Sequence, residues 1–403
     1  MSRIEEMIRE LCPNGVEYKK LGDILNYEHP TKYIVKSTEY DNSYSIPVLT
    51  AGQTFILGYT NEDEGIYEAS KDHPTIIFDD FTTSFHWVDF NFKIKSSAMK
   101  MLRPKTSNVS FRYIYYAMRC IRFEAVDHTR HWISKYSQFE VPVPPLAIQN
   151  EIVNILDKFT ELEAELEAEL EARRKQYEYY RNKLLNFSEF TPPQEGEVKW
   201  LAMSEIFEIK NGYTPSKAKP EYWTNGTIPW FRMEDIRTNG RILEDSIQHI
   251  TPEAVKGGRL FPANSIILAT TATIGEHALI IADSLANQRF TNLSIRKSLA
   301  DELDMKFFFY YMFIVDEWCK NNTNTSGFES VDMVKFKKLQ IPIPPMKEQQ
   351  RIVAILDKFE TLVNDISEGL PAEIAARRQQ YEYYRDKLLT FKRKEDAKIQ
   401  PCC

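Results

Sequence analysis

The sequence predicts an α+β protein in which two globular α/β segments alternate with two long helices, the halves related by a pseudo-two-fold internal repeat. Three observations predict this. The chain reads VPVPPLAIQNEIVNILDKF from Val141 and IPIPPMKEQQRIVAILDKF from Ile341. Each copy ends in a matching tail, RRKQYEYYRNKLLNF from Arg173 and RRQQYEYYRDKLLTF from Arg377. A weaker echo opens each half, EYKKL from Glu17 and EVKWL from Glu197, while the stretches between, roughly 21–140 and 201–340, do not resemble each other. Variable and repeated parts therefore alternate, which suits two different recognition surfaces on one frame.

The repeated segments are expected to be helices. In the first copy the seam runs through Ile148, Ile152, Ile155, Phe159, Leu162 and Leu166, in the alternating steps of four and three that mark a coiled coil. It continues through Leu170, Tyr177, Tyr180, Leu184 and Phe187. Pro142, Pro144 and Pro145 cannot lie inside a helix and so set its start. About forty residues at ~1.5 Å each make a rod of roughly 60 Å. The second seam runs Ile352, Ile355, Phe359, Leu362, Ile366, Leu370, Ile374, Tyr381, Tyr384, Leu388 and Phe391. Gly369 and Pro371 interrupt it, which predicts a kink or short break near residues 367–372. Within the first rod, LEAE-LEAE-LEA from Leu162 to Ala172 repeats every four residues, close to one helical turn. Such a unit can lengthen the rod with little rotation of its face, although LEAE is also simply a good solvated helix former.

The variable segments read as mixed α/β. TIIFDD at 75–80, SAMKML at 97–102, NSIILATT at 264–271 and ALIIA at 278–282 predict strands. Aromatic helices are expected at 113–117 and around 307–311, their rings serving as core. With 403 residues and ordinary apolar and charged fractions, the chain can bury two or three cores. No run approaches eighteen apolar residues, and MSRIEEMIREL is too acidic for a signal peptide, so a cytoplasmic location is expected. Five cysteines without a CxxC pair point away from a disulfide framework or a zinc site.

The net charge of −7 conceals an asymmetry. From Lys36 to Phe92 two basic residues face ten acidic ones, whereas from Lys93 to Lys135 ten basic residues face two acidic ones. The second segment repeats this weakly through Lys256, Arg259, Arg289, Arg296 and Lys297. A basic face can bind phosphates in an acidic protein, and a solvated charged surface is the plainer alternative.

Candidate base- and phosphate-contacting residues lie in the polar, turn-rich stretches. In the first segment they are Thr82, Thr83, Ser84 and His86, then Ser96, Ser97 and Lys100, then Arg130 and His131. In the second they are Asn211, Tyr213, Thr214, Ser216 and Lys217, with Arg232, Arg237 and Arg241. Thr270, Thr271, Thr273, Asn287, Gln288 and Arg289 form a further group. Arg, Asn and Gln can pair with base edges in two hydrogen bonds, and Ser, Thr and Lys anchor phosphates. Each residue taken alone fits a surface or turn role better; the clustering is what points to nucleic acid.

Catalytic signatures are not found. The sequence has no GxxxxGK[ST] loop, no Gly-rich dinucleotide fingerprint and no Asn-Pro-Pro-aromatic tetrapeptide. His128 and His131 have HxxH spacing without nearby metal-binding companions. Asp79-Asp80 ends a strand beside basic residues, a turn and ion-pair feature more than a nuclease centre. No metal site and no catalytic centre are expected.

With these motifs in place, the whole chain resembles the specificity subunit of type I restriction–modification enzymes. The resemblance rests on the I/VPxPP–ILDKF lead-in and the RR-QYEYYR-KLL exit in both halves. IPVLTAGQTFILGYT with IIFDDF and KSSAMK looks like one target recognition domain, and NGYTPSK–YWTNGTIPWFRMEDI with ATTATIGEHALI and ANQRF like another. Gly369–Pro371 departs from the family pattern.

The resemblance implies a target recognition domain with a short N-terminal helix at 1–140, spacer helix 1 at 141–187, a second recognition domain at 188–340, spacer helix 2 at 341–391 and a polar tail at 392–403. It implies that the helices pack antiparallel and that each domain reads half of a bipartite site in double-stranded DNA. Two methyltransferase and two restriction subunits would be partners, with no membrane. S-adenosylmethionine, ATP and Mg would serve those partners, leaving no cofactor and no catalysis to this chain. The competing reading is a coiled-coil scaffold displaying two protein-binding domains, which predicts no salt-dependent DNA affinity.

Overall fold

The computed structural model describes residues 3–52, 54–124, 129–187, 198–324, 329–364 and 369–394. It divides into two compact units, Met1–Glu167 with Glu373–Cys403, and Ala168–Ala372. The first unit therefore takes segments from both ends of the chain, the second from its middle.

In each unit the opening echo and the proline-rich lead-in are two strands of one ribbon. Glu17–Lys20 pairs antiparallel with Glu140–Val143, Glu17 lying opposite Val143. Lys199–Ala202 pairs in the same way with Gln340–Ile343, Lys199 lying opposite Ile343. Pro142 and Pro342 fit because a two-stranded ribbon is all edge. One-turn helices follow, Leu21–Ile24 and Met203–Ile206. Leu21 thus corresponds to Met203, two residues beyond the Leu201 that the sequence echo aligns with it. The ribbon register, not the local similarity of letters, sets the correspondence.

Unit 1 holds a four-stranded sheet ordered Leu25–Glu28, Met99–Pro104, Thr75–Asp79, Phe85–Val88, and a three-stranded sheet centred on Ile46–Leu49. Unit 2 holds a five-stranded sheet ordered Phe207–Asn211, Phe290–Ile295, Ser265–Ala269, His277–Ile280, Ile242–Leu243, and a three-stranded sheet centred on Ile228–Phe231. The stretches IIF at 76–78 and IILA at 266–269 are apolar on successive residues because each strand is covered on both faces. Ile76 and Phe78 join the core that includes the Phe111–Arg119 helix, while Ile77 faces a second core with Tyr67 and Phe92. Likewise Ile266 and Leu268 pack with the Met305–Asn321 helix, and Ile267 and Ala269 with Trp230 and Phe231. The aromatics of both helices are core, Tyr113, Tyr116, Phe307 and Tyr310 each being fully buried.

The first long helix spans Leu146–Leu185. The second repeat forms two helices, Met346–Asn364 and Leu370–Leu388. Pro371 occupies the first turn of the latter, where a missing N–H leaves no intrahelical bond unmade; Ile366 and residues 367 and 368 of the expected break lie outside the described residues. Each helix tail packs within the unit that contains a lead-in of the other copy. In unit 1 Phe159 stacks on Tyr384 at 5.6 Å and meets Tyr381 at 6.4 Å. Arg378 bridges Glu163 and Glu167, both at 2.5 Å. Positions rise along one helix as they fall along the other, so these segments run antiparallel. In unit 2 Phe359 receives Tyr180 at 5.8 Å and Tyr177 at 6.2 Å.

The seam differs in detail from a heptad stripe. Ile148, Ile152 and Leu156 are fully buried in the unit 1 core, as Ile352 and Leu356 are in unit 2. Ile155, Ile355, Leu166, Leu184 and Leu388 are half-buried, while Tyr177 and Tyr381 are buried. Leu162 and Leu362 lie 46% and 37% exposed, outside the seam proposed for them. Leu156 and Leu356, outside that stripe, are fully buried in cores that also take in Tyr381 and Tyr177 of the partner helices. Among the described residues no helix is long and apolar enough to cross a membrane.

Candidate nucleic-acid interface

Corresponding strand ends in the two units carry the polar clusters. The hairpin register fixes the correspondence: Asp79 lies opposite Met99 as Ala269 lies opposite Phe290. Asp80 therefore matches Thr270, and Lys100 matches Thr291.

In unit 1 Asp80 is the meeting point. Its carboxylate accepts from the Trp132 amide at 2.7 Å and pairs with Lys100 at 3.0 Å. Its backbone N–H donates to Ala98 O at 2.9 Å and its carbonyl accepts from His131 N at 2.8 Å. Asp79 accepts from the Phe81 and Thr82 amides, closing the turn. The Asp79-Asp80 pair is thus a turn and ion-pair feature, as its sequence context implies. Thr82 is exposed, 2.5 Å from Ser84 Oγ, and Thr83 is buried at φ +59°, a costly conformation for a β-branched residue.

Ser96, Ser97 and Arg130 are exposed around this turn. His86 is half-buried, its Nε2 3.2 Å from Gly52 O. Lys100 and His131, by contrast, are 3% and 0% exposed, and Lys100 lies over the Tyr27 ring at 4.6 Å. A direct phosphate contact needs both at the surface, and the packing encloses them. His128 lies outside the described residues.

In unit 2 hydroxyls and amides replace the ion pair. Thr270 and Thr291 share a hydrogen bond of 2.9 Å, and Thr291 donates to Asn211 Oδ1 at 3.1 Å. Thr214 donates to Gln288, Tyr213 N donates to Ala286 O at 2.9 Å, and Gly212 N donates to Phe290 O at 2.8 Å. A Cβ on Gly212 would stand 2.3 Å from Asn287 O, so this approach requires glycine. Asn287 accepts from Arg289 N at 2.9 Å and donates its own N–H to Phe231 O at 3.0 Å, bringing Arg232 alongside.

Asn211, Thr214, Thr270, Asn287, Gln288 and Arg289 are thus gathered by the fold, with Asn211, Gln288 and Arg289 exposed. Thr271 and Thr273 are half-buried in the hairpin after Thr270, and the Thr273 hydroxyl is enclosed without a partner among the described residues. Tyr213 is turned inward, its hydroxyl donating to Ala254 O at 3.0 Å and accepting from Lys256 N at 2.6 Å. Ser216, Lys217 and Arg237 are exposed elsewhere on the loop and helix. Arg232 pairs with Glu234 at 3.0 Å, and Arg241 donates to His277 O at 2.9 Å while lying over Phe313.

The charge swing of the first segment folds onto itself. Lys93 pairs with Glu62 at 3.0 Å, Lys100 with Asp80 and Arg112 with Asp157 at 2.8 Å, so part of the basic excess is neutralised internally. Lys95, Arg103, Arg130 and Lys135 remain exposed.

Residues that frame both units were missed at the contact level. Gln149 and Gln349, and Asp157 and Asp357, occupy the same places in both repeats. Tyr116 and Arg112 meet Asp157 at 2.5 and 2.8 Å; Tyr310 and Lys306 meet Asp357 at 2.5 and 2.7 Å. Burial, together with the bonded carboxylate, pushes both tyrosine hydroxyls well above the usual phenol range. Identity of these letters across the repeat is the signal that could have found them. Among the described residues no group of three or more His, Cys, Asp or Glu is arranged to hold a metal.

Comparison with known proteins matches this architecture. The sequence model described as "Type I restriction modification DNA specificity domain" matches residues 13–172 and 196–376. The chain is 48% identical over 415 aligned positions to the type I restriction enzyme EcoR124I/EcoR124II specificity subunit of Escherichia coli, covering 98% of this chain and 99% of that one. It is 57% identical over 206 positions to the EcoprrI specificity subunit of the same organism, covering 49% and 51%. Its fold is similar, at TM-score 0.61 and 15% identity, to a solved structure described as "Structural basis underlying complex assembly and conformational transition of the type I R-M system", covering 94% and 98%. The chain belongs to the type I restriction–modification DNA specificity family.

Proposed function

We propose that this chain is the non-catalytic subunit that chooses the DNA site of a type I restriction–modification complex, each unit reading one half of a bipartite, asymmetric sequence. One observation carries the reading. The two units share a frame, down to Gln149/Gln349 and Asp157/Asp357, yet differ in chemistry at equivalent strand ends, Asp80–Lys100 against Thr270–Thr291. Two readers of two different sequences need that combination.

The exposed members of the two clusters, above all Ser96, Ser97 and Arg130 in unit 1 and Asn211, Gln288 and Arg289 in unit 2, would face base edges and phosphates. The long helices would set the spacer between half-sites and offer docking surfaces to two methyltransferase subunits, with two restriction subunits joining that core. S-adenosylmethionine, ATP and Mg belong in this reading to those partners, and adenine would be flipped out by the methyltransferase rather than by this chain.

The test is a methylome. The chain is co-expressed with its cognate methyltransferase subunit in a host lacking such systems, and N6-methyladenine is mapped by single-molecule sequencing. A new split motif that depends on this chain is expected, and exchange of residues 201–340 should change one half only. A soluble complex that adds no methylation, or an exchange that alters both halves, defeats the reading and favours the scaffold alternative.

A further inference from the structure

The Asp80–Lys100 pair leads one step further, and the step rests on the reading above. Both residues are almost wholly enclosed, at 1% and 3% exposure. Taking a carboxylate and an ammonium out of water is costly, and their attraction offsets the loss only with good geometry and further hydrogen bonds. Unit 2 closes the same strand-end position with two neutral hydroxyls, Thr270 and Thr291, 2.9 Å apart. The fold therefore does not require charges at this place. Something particular to unit 1 retains them.

The contacts of Asp80 indicate what that is. The Asp80 carboxylate and peptide group join two segments to the 81–84 turn, which Asp79 closes and Asp80 adjoins: the Ser96–Ala98 stretch through Ala98 O, and the start of the His131–Ser134 helix through the His131 and Trp132 amides. These segments display Thr82, Ser96, Ser97 and Arg130 at the surface. Lys100 holds the second carboxylate oxygen and rests on the Tyr27 ring, so the charge of Asp80 is balanced without solvent.

We propose that Asp80 and Lys100 are positioning residues for base discrimination in the half-site read by unit 1. They touch no DNA; they hold three surface segments in one register. Thr270 and Thr291 are their neutral counterparts in unit 2, where the gathered surface is Asn211, Gln288 and Arg289.

The test uses the full chain with its methyltransferase partner and reads base preference at every position of the methylated motif. The central variant combines Asp80→Thr with Lys100→Thr, installing the neutral pair of the other unit. It is expected to melt like the wild type and to lose roughly tenfold in discrimination at one or more positions of a single half-site, the size of a typical single-base effect. The other half-site should be unchanged, and Thr270→Val should shift that other half-site instead. Asp80→Glu is the second variant: it keeps the ion pair but displaces the three segments, and the same half-site should change. An unaltered motif in Asp80→Glu overturns the proposal even if the double variant does not fold. Equal losses in both half-sites also overturn it, because they mark general destabilisation. If the wild type itself directs no split motif, the specificity reading fails first, and that outcome is recognisable before any variant is made.

Discussion

The side-chain amide of Gln149, 1% exposed, donates to the carbonyl of Pro144 at 2.7 Å. Its oxygen accepts from the Ser110 amide at 2.8 Å, so one buried side chain ties the proline lead-in to the first residue of the Phe111–Arg119 helix cap. Gln349 repeats the arrangement, donating to Pro344 O at 2.8 Å and accepting from Asp304 N at 2.9 Å. Gln149→Leu should leave an enclosed N–H and an enclosed carbonyl without partners, at a cost of about 1–3 kcal/mol. Hydrogen exchange should quicken at the 110–114 helix start and stay unchanged in the 305–321 helix. Equal protection in wild type and variant would contradict this.

The Tyr116 hydroxyl and Asp157 form a charge-assisted bond at 2.5 Å, with Arg112 on the same oxygen. Tyr116→Phe is expected to destabilise unit 1 by about 1.5–3 kcal/mol. Both substitutions act on the same bond, so a double-mutant cycle with Asp157→Asn should show strong coupling. Additive losses in urea unfolding would show that the bond contributes nothing of its own.

Arg378, about half exposed, spans two carboxylates one LEAE unit apart. Exposed pairs contribute only about 0–1 kcal/mol and are screened by salt, so Arg378→Ala should shift the melting temperature slightly, and less at high ionic strength. Deleting Leu166–Glu169 brings Glu171 to the place of Glu167, which preserves both carboxylates for Arg378. The deletion variant should therefore fold, with a rod shorter by roughly 6 Å. The methylated motif should then lose one or two spacer base pairs at about 3.4 Å per step. An unchanged spacer in a folded variant refutes the ruler.

Glu62 resists the upward push of its partial burial, because the Ser37 and Lys36 amides and the Lys93 ammonium hold its carboxyl below the usual carboxylate range. A carboxyl depressed in the folded state contributes stability above its unfolded value and loses it as pH falls through the folded one. Protection of the Lys36 and Ser37 amides should therefore persist through neutral pH and collapse only in acid, and Glu62→Gln should abolish that acid step. Collapse at the same acidic pH in Glu62→Gln would assign the step to another group.

The sequence by itself determined the repeat, from two copies of the same motifs, and the helices and strands, from local apolar pattern, and those repeated motifs carried the resemblance to the family. TIIFDD and NSIILATT need no partner to be read as strands, and ILDKF needs none to be read as a helix; that the strands are covered on both faces came from the structure. Only the tertiary structure decided which residues face outward. Lys100 looks like a phosphate ligand until Asp80, twenty residues earlier, takes it inside. Leu162 looks like seam until the packing leaves it 46% exposed. The basic run after Lys93 looks like a binding face until Glu62, Asp80 and Asp157 neutralise part of it. Charge and exposure are settled by contacts between residues far apart in the chain, and local composition carries no record of those contacts.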